Sequence, residues 1–237
     1  VERQLVDQRM LQVGVSHLAV GPYSNGMFVL ALRALLWLRE QPGLVSVATT
    51  TAPAFDWQLI LADIIRASRD RLWDASTSTL LPHLYLHGSP FPEDFDEKRL
   101  HCHGGTAVAA LAGILTTDEL RRAHKVLMAD VAAVAALGGD VTVGLTIFPP
   151  YPARRLNSST LRLMQEYTYQ NGGDWSWFGG RWVMALVQHG LISEAEEALE
   201  PMAARVQQHG GFFEWYGFDG TRKGSSKFHG SAGVLGS

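Results

Sequence analysis

The sequence of 237 residues has one cysteine and no apolar run long enough to cross a membrane. Because Cys102 is alone, an internal disulfide is excluded, and a reducing cytoplasm is the default expectation for the location of the chain. The longest apolar segments, residues 27–38 and 106–115, are shorter than the roughly 20 residues that a helix needs to span a bilayer. We therefore expect a soluble chain with no membrane partner.

The charge pattern argues against a nucleic-acid partner. The formal net charge is −3, and lysine and arginine are scattered along the chain. Binding through phosphate neutralisation requires a clustered basic surface, which this pattern does not provide. With 46% hydrophobic residues the composition is that of an ordinary globular protein, and we predict a single domain over residues 1–237.

Signatures of several enzyme classes are also missing. The sequence has no glycine-rich nucleotide fingerprint after a strand pattern, no Gly-x-Ser-x-Gly elbow and no His-Glu-x-x-His helix. The nearest approach to a metal site is His101-Cys102-His103, but zinc needs three or four ligands and no second Cys/His pair completes the set. We therefore expect no metal and no cofactor.

Apolar residues recur at spacings of three and four, which predicts helices. The predicted helices cover residues 25–40, 55–73, 106–115, 118–137, 178–189 and 193–208. The β-branched runs at 45–47 and 141–147 could form short strands, but neither has a partner at hairpin spacing. The pattern predicts an all-α fold.

The helices alternate in type. The helix at 106–115 is almost wholly apolar, whereas the one that opens at Asp118 is amphipathic. The same pairing recurs at 178–189 and 193–208, where Ser193 is the expected N-cap of a capping box. Pairs of buried inner helices and amphipathic outer helices predict αα-hairpins arranged in an (α/α) toroid.

In such a toroid, the loops before the inner helices form the cleft. Three of these loops carry a Gly-Gly pair, at His103-Gly104-Gly105, Asn171-Gly172-Gly173 and His209-Gly210-Gly211. Glycine lets backbone approach a ligand closely, although such pairs also simply end helices or form turns. We interpret His103 as a hydrogen-bonding residue at the cleft rim.

An acidic run precedes His101 in a proline-rich loop, at Glu93, Asp94, Asp96 and Glu97. Such a run usually indicates a solvated face. Its nearness to His101 leaves a role in substrate binding open.

Glu214 is the strongest catalytic candidate because aromatic residues surround it, at Phe212, Phe213, Trp215 and Tyr216. A carboxyl group desolvated by aromatic rings can serve in acid/base chemistry near neutral pH. The alternative is that alternate aromatic side chains enter the core while Glu214 faces solvent or pairs with Arg222 or Lys223.

Asp174 follows a Gly-Gly pair and precedes Trp175 and Trp177. It could bind sugar hydroxyls, act as an acid or cap the following helix. The two tryptophans could offer flat faces to a sugar ring, although tryptophan beside an inner helix is more often core. We expect one of the two to be exposed to ligand.

These motifs resemble those of the six-hairpin glycosidases, the (α/α)6 toroids, and most closely the neutral/alkaline invertases and debranching-type glucosidases. Residues 169–175 are similar to the Tyr-His-Asn-Gly-Gly-Ser-Trp segment of those invertases, and residues 213–216 are similar to their Pro-Glu-Tyr-Tyr. Residues 21–36 are a weaker match to an earlier loop and helix of that barrel. The resemblance implies that Glu214 is the general base of an inverting mechanism.

We accordingly predict Glu214 and Asp174 as the catalytic residues. The predicted sugar-binding residues are Tyr169, Gln170, Asn171, Trp175, Trp177, His103, Trp215 and Tyr216.

The sequence also departs from the family pattern. Gln170 and Asp174 stand where the invertases have His and Ser, so sucrose specificity is not carried over. The resemblance places the general acid upstream of Gly21, where this sequence has only Glu2 and Asp7, neither in a matching context. A toroid has twelve helices and about eight can be counted here. We therefore expect a C-terminal portion of the toroid, with a missing N-terminal segment or a homo-oligomer completing the ring.

The leading expectation is a glycoside hydrolase-like protein that cleaves a glucoside or short oligosaccharide by inversion. The unmatched general acid prompts an alternative, a noncatalytic carbohydrate-binding or degenerate toroid protein. A further alternative is a sugar epimerase on the same toroid, which would use histidines such as His103, His209 and His229 as acid/base groups.

Overall fold

A computed structural model describes residues 2–5, 16–42, 55–89, 91, 93–152 and 164–235 of the chain. Within them, the helices are α1 Pro22–Glu40, α2 Trp57–Leu72, α3 His103–Leu111, α4 Thr117–Ala136, α5 Ser176–Gln188, α6 Ile192–His209 and α7 His229–Leu235. The strands are β1 Glu2–Leu5, β2 Ser16–Val20, β3 Trp73–Asp74, β4 Thr79–Leu80, β5 Leu84–Tyr85, β6 Trp215–Tyr216 and β7 Arg222–Lys223. The predicted all-α class is confirmed.

The helices form an inner row and an outer row. Helices α1, α3, α5 and α7 contact one another in chain order, while α2 packs on α1 and α6 packs on α5. The inner helix α3 is buried at every position from 103 to 110. The outer helix α4 instead buries a stripe that includes Leu120, Ala123 and Leu127, at spacings of three and four. This alternation is the inner and outer pairing of an (α/α) toroid.

Helix α4 begins with a capping box that the sequence analysis did not identify. Thr116 accepts a hydrogen bond from the backbone of Glu119, whose side chain accepts one from the backbone of Thr116. The predicted capping role of Ser193 is wrong, because α6 begins at Ile192 with Leu191 at its N-cap and no side-chain cap. Leu191 is buried and its backbone donates to Leu186, so an apolar turn fixes this helix start.

The predicted bounds of helix α3 also need correction. The helix starts at His103, so Gly104 and Gly105 lie inside it and not in a loop before it. A Cβ atom at Gly105 would lie 2.6 Å from Cγ of Pro22, so glycine permits the close approach of α3 to the start of α1. The helix ends early because Gly113 adopts a left-handed backbone conformation with φ of +77°.

The strands are short, with two to five residues each. Strands β1, β2 and β5 form a three-stranded antiparallel sheet, and β6 pairs with β7 in a hairpin. The predicted strand at 45–47 lies outside the described residues. Residues 141–147 are buried, but they form only isolated bridges with other segments in the described part of the chain, such as Leu145 with Asp174.

Trp182 of α5 is completely buried between the outer helices. Its indole Nε1 donates to Nδ1 of His124 in α4 at 3.2 Å, and Nε2 of that histidine lies 3.2 Å from Glu197 in α6. Burying a tryptophan side chain stabilises a fold by roughly 4–6 kcal/mol, before the cost of ordering it.

Across the described ranges, none of the helices combines the length and the apolar character required to cross a bilayer.

Candidate functional site

A cavity of about 260 Å³ lies where three inner helices begin. We call it the inner cleft. Its wall contains Tyr23 from the start of α1, Gly104 from the start of α3 and Phe178 from the start of α5. Gln170 from the motif at 169–175 also lines it. The structure therefore places the inner cleft at the predicted end of the inner helices.

The helix starts around the inner cleft lack the side-chain caps of the outer helices α2 and α4, as does the start of the outer helix α6. The N-caps of α1, α3 and α5 form no side-chain capping bond, whereas Asp56 and Thr116 cap α2 and α4. The first backbone N–H groups of a helix have no partner within the helix and carry a partial positive charge. At α3, however, the amides of His103 and Gly104 donate to the carbonyls of His101 and Thr146, so these two groups are already used within the protein.

Extended segments joined by backbone hydrogen bonds bring the sequence motifs together. The amide of Gly104 donates to Thr146, and the amide of Thr146 donates to Gly173. Asp174 and Tyr216 exchange backbone hydrogen bonds of 3.0 and 2.7 Å. The segment with Asp174 and the segment with Glu214 are therefore neighbours, although forty residues separate the two side chains.

Asp174 is completely buried in an ion pair with Arg205 of α6. Its Oδ2 atom lies 2.6 Å from Nη1 of Arg205 and accepts a hydrogen bond of 2.5 Å from the backbone of Thr142. The hydroxyl of Thr142 donates to Oδ1 at 2.9 Å. Gly144 passes so close that a Cβ atom there would collide with Oδ1. These partners hold Asp174 in the protein interior, and its predicted catalytic role stays a prediction.

The charge of Arg205 is stabilised by its neighbours. Burial alone would lower the pKa of Arg205, but Asp174 and Asp140 outweigh burial and raise it above its ordinary value. The guanidinium also lies over the ring of Tyr216, 4.7 Å from the ring centre. Tyr216 itself is 1% exposed, and burial raises the pKa of its hydroxyl. Contact of Tyr216 with a sugar therefore stays a prediction.

Asn171 anchors the loop that carries the first motif. Its buried amide donates to the carbonyls of Tyr151 and Met164, each at 2.9 Å, and its Oδ1 accepts from the backbone of Tyr151 at 2.6 Å. These bonds use the side chain to position two segments of backbone. Its predicted contact with a sugar is not tested by this geometry.

Aromatic rings connect the two motifs beside the inner cleft. The ring of Tyr169 lies 5.2 Å from that of Trp175 and 6.1 Å from that of Trp215, both edge to face. Nε1 of Trp175 donates to the carbonyl of Tyr169 at 2.9 Å. Trp175 is buried, whereas Trp177 is half-buried, with Arg181 stacked 3.4 Å from its ring centre. Trp177 is thus the more accessible of the two tryptophans.

Glu214 lies directly before strand β6, and its carboxylate folds toward the turn after β7. Its Oε2 atom accepts a hydrogen bond of 3.0 Å from the backbone of Ser225, and its own amide donates to the carbonyl of Ser225. The side chain is half-buried. Trp215, the next residue, contacts Tyr169, which precedes Gln170 in the cleft wall. Glu214 and Trp215 are not among the residues that line the inner cleft, so the predicted catalytic role of Glu214 stays a prediction.

His103 reaches outward to α4, where it contacts Asp130. Nε2 of His103 and Nδ1 of His101 donate to the same Oδ2 of Asp130 at 2.8 and 2.7 Å. Burial would raise the pKa of Asp130, but these two bonds outweigh it and lower the pKa below its usual value. His103 is completely buried and does not line the inner cleft, so its predicted position at the cleft rim is wrong, whereas its role in sugar binding stays a prediction. The sequence analysis missed Asp130 because 27 residues separate it from His103.

Glu97 is a second residue whose environment the sequence did not indicate. The acidic run predicts a solvated face, and Glu93, Asp94 and Asp96 are indeed exposed. Glu97 is instead 8% exposed, because the 3-10 turn that it begins directs it towards His83 and Tyr151.

Within the described ranges, no group of three or more His, Cys, Asp or Glu side chains is arranged to hold a metal ion.

No family model and no curated protein sequence matches this chain. Solved structures do match it. A GH63 mannosylglycerate hydrolase from Thermus thermophilus in complex with glucose has a TM-score of 0.62 at 16% identity, covering 95% of this chain and 48% of that one. An uncharacterized conserved protein from the same organism has a TM-score of 0.62 at 15% identity, covering 94% and 47%. The hydrolase in complex with Tris and D-glycerate has a TM-score of 0.62 at 15% identity, covering 94% of this chain and 46% of that one.

These similarities define the class of fold. The chain has the helical toroid fold of these structures and spans about half of their length. The predicted (α/α) toroid is thereby confirmed. The finer resemblance to invertases and debranching-type glucosidases stays a prediction, because an identity of 16% relates the folds alone.

Proposed function

We propose that this chain carries part of a glycoside hydrolase site, which cleaves a glucoside or short oligosaccharide by inversion. The observation that carries the proposal is the inner cleft, formed where α1, α3 and α5 begin and lined by Gln170 of the first motif. The fold neighbour in complex with glucose supports a carbohydrate as the ligand.

Glu214 is the proposed general base, which takes a proton from the attacking water. The backbone amide of Ser225 holds its carboxylate, and the ring of Trp215, the next residue, lies 6.1 Å from the ring of Tyr169. In an inverting pair the two carboxyl groups are about 6.5–9.5 Å apart, so that water fits between base and sugar. The sequence resemblance assigns the acid to a segment upstream of Gly21.

The other predicted site residues have different roles in this proposal: some lie at or near the inner cleft, and others hold its loops. Gln170 lines the inner cleft. Trp177 and Trp215 are half-buried, and their rings contact those of Phe178 in the cleft wall and of Tyr169, respectively. Asp174 and Asn171, which are completely buried, hold the loops that position these residues.

The direct test compares hydrolysis of glucosides, short oligosaccharides and mannosylglycerate by the wild-type chain and by Glu214→Gln. Proton NMR of the first product gives its anomeric configuration, which inversion reverses. Loss of the base should lower the rate by about 10²–10⁴-fold. Glu200→Gln is a matched control because Glu200 is exposed on α6. Equal rates for both variants and the wild type would remove Glu214 from the mechanism.

A noncatalytic carbohydrate-binding toroid is the second candidate. It is favoured by the position of Asp174, whose carboxylate is engaged by Arg205 and Thr142 and is completely buried. This candidate predicts that glucose binds to the wild-type chain and that no glycoside is hydrolysed. Calorimetric titration with glucose, run beside the hydrolysis assay, separates the two candidates.

A further inference from the structure

Tyr169 has an unusual backbone conformation. Its φ of +43° lies in the left-handed region, which residues with a Cβ atom rarely adopt because Cβ comes too close to the neighbouring carbonyl oxygen. The next residue, Gln170, is exposed and lines the inner cleft. Such a conformation persists only where the surrounding structure holds it, and it is often found in segments that present a functional side chain.

Trp175 supplies the contacts that hold this conformation. Nε1 of its indole donates to the carbonyl of Tyr169 at 2.9 Å, and the two rings lie edge to face at 5.2 Å. Gly173 passes so close that a Cβ atom there would collide with the same carbonyl oxygen. The indole is itself buried, with its ring against those of Phe178 and Phe228. The carbonyl of Tyr169 is therefore held by a rigid donor.

This carbonyl belongs to the peptide group that joins Tyr169 to Gln170. Because a peptide group is planar, fixing its carbonyl also fixes the direction in which the chain enters Gln170. The residue after Gln170 is Asn171, whose buried side chain makes three hydrogen bonds to backbone groups. Both ends of Gln170 are thus anchored, which reduces the conformational freedom that a ligand would have to remove on binding.

We propose that Trp175 is a positioning residue for the sugar. Its indole N–H holds the Tyr169 peptide and thereby places the side chain of Gln170 where it binds a sugar hydroxyl in the inner cleft. The amide of a glutamine side chain contains both a donor and an acceptor, as a hydroxyl group does. The inference rests on the proposed function for the class of ligand, but it is independent of hydrolysis.

The test measures glucose affinity by calorimetric titration of the wild-type chain, Trp175→Phe, Gln170→Ala and the double variant. Phenylalanine keeps an aromatic ring and removes the donor, so the affinity should fall about 3- to 10-fold. Because Trp175 acts through Gln170, the double variant should bind glucose no more weakly than Gln170→Ala alone. Losses that add in the double variant, or an unchanged affinity of Trp175→Phe, would overturn the inference.

Two further comparisons separate positioning from a general loss of structure. Glycine adopts a left-handed conformation without steric cost, so Trp175→Phe should lower the affinity less in a Tyr169→Gly background than in the wild type. An equal or larger loss in that background would count against the inference. Trp37→Phe is the matched control, because Trp37 of α1 is 60% exposed. It should bind glucose like the wild type, and a loss equal to that of Trp175→Phe would refute positioning.

NMR of the wild-type chain decides the question even if Trp175→Phe fails to fold. The indole hydrogen of Trp175 should exchange with water more slowly than that of Trp37, and saturating glucose should shift the side-chain amide resonances of Gln170. An unprotected Trp175 indole, unmoved Gln170 resonances or the absence of glucose binding would each contradict the inference.

Failure of the proposed hydrolysis is distinguishable from these results. If glucose shifts the Gln170 resonances and the two variants are coupled, but no glycoside is cleaved, the inference stands and the hydrolase proposal fails. If glycosides are cleaved and the effects of Trp175→Phe and Gln170→Ala add, the outcome is the reverse.

Discussion

The buried pair of Asp174 and Arg205 leads to a quantitative prediction about stability. Asp174 is completely buried, and its carboxylate lies 2.6 Å from Nη1 of Arg205, which is itself 5% exposed. Asp174→Asn preserves the size of the side chain and removes its charge. The guanidinium, which cannot deprotonate in practice, then has Asp140 as its charged partner among the described residues, and it still lies over the ring of Tyr216.

The expected cost follows from burial. Removing one partner of a buried ion pair typically costs about 3–5 kcal/mol, because the remaining charge has lost its compensation in the interior. Asp140 contacts the same guanidinium at 3.0 Å, but its side chain is 69% exposed. Asp140→Asn should therefore cost only about 0–1 kcal/mol, as is usual for pairs in contact with water.

Urea unfolding followed by tryptophan fluorescence gives the free energy of unfolding of each variant. We expect Asp174→Asn to lose several-fold more stability than Asp140→Asn. A value for Asp174→Asn within about 1 kcal/mol of wild type would refute the structural role assigned to Asp174. If that stable variant had also lost hydrolysis, the catalytic role predicted from the sequence would be favoured instead.

Two further variants test neighbouring parts of the structure. Gly144→Ala should destabilise the chain by about 1–3 kcal/mol, measured by the same unfolding assay, because its Cβ atom would collide with Asp174; unchanged stability would contradict this packing. Asp130→Asn should cost about 1.5–3 kcal/mol at pH 7, because His101 and His103 lose a charged acceptor. The folded-state pKa of Asp130 is lowered, so its contribution is present above the unfolded-state pKa of about 3.9 and is lost as pH falls through the folded-state pKa. Unfolding at a series of pH values should show the difference shrinking below about pH 4, and a difference that persists or grows in acid would argue against it.

The inner and outer rows could be predicted from the sequence, because the spacing of apolar residues along each helix indicates which of its faces is buried. The predicted bounds failed where a contact distant in sequence decides the start of a helix. At Gly104 and Gly105 a loop before the helix was predicted, yet both residues lie inside α3, where Gly105 packs against Pro22, more than eighty residues earlier. Helix α6 begins after Leu191 and not after the expected cap Ser193. Burial of the apolar Leu191 side chain determines this start.

The candidate site was predictable only in part. Gln170 was identified from its motif and lines the inner cleft, because the loop before an inner helix reaches the cleft in any such toroid. Glu97 and Asp130 could not be identified, because their partners Tyr151 and His101 are 54 and 29 residues away. Buried carboxylates with distant donors leave no local pattern in a sequence.

A crystal structure of the chain soaked with glucose is the most direct test of the central claim, that the inner cleft is a sugar site beside Glu214. The account predicts glucose in the cavity lined by Tyr23, Gln170 and Phe178. It also predicts one ordered water between the anomeric carbon and the carboxylate of Glu214. Glucose bound elsewhere, or an inner cleft that stays empty at saturating glucose, would contradict the account.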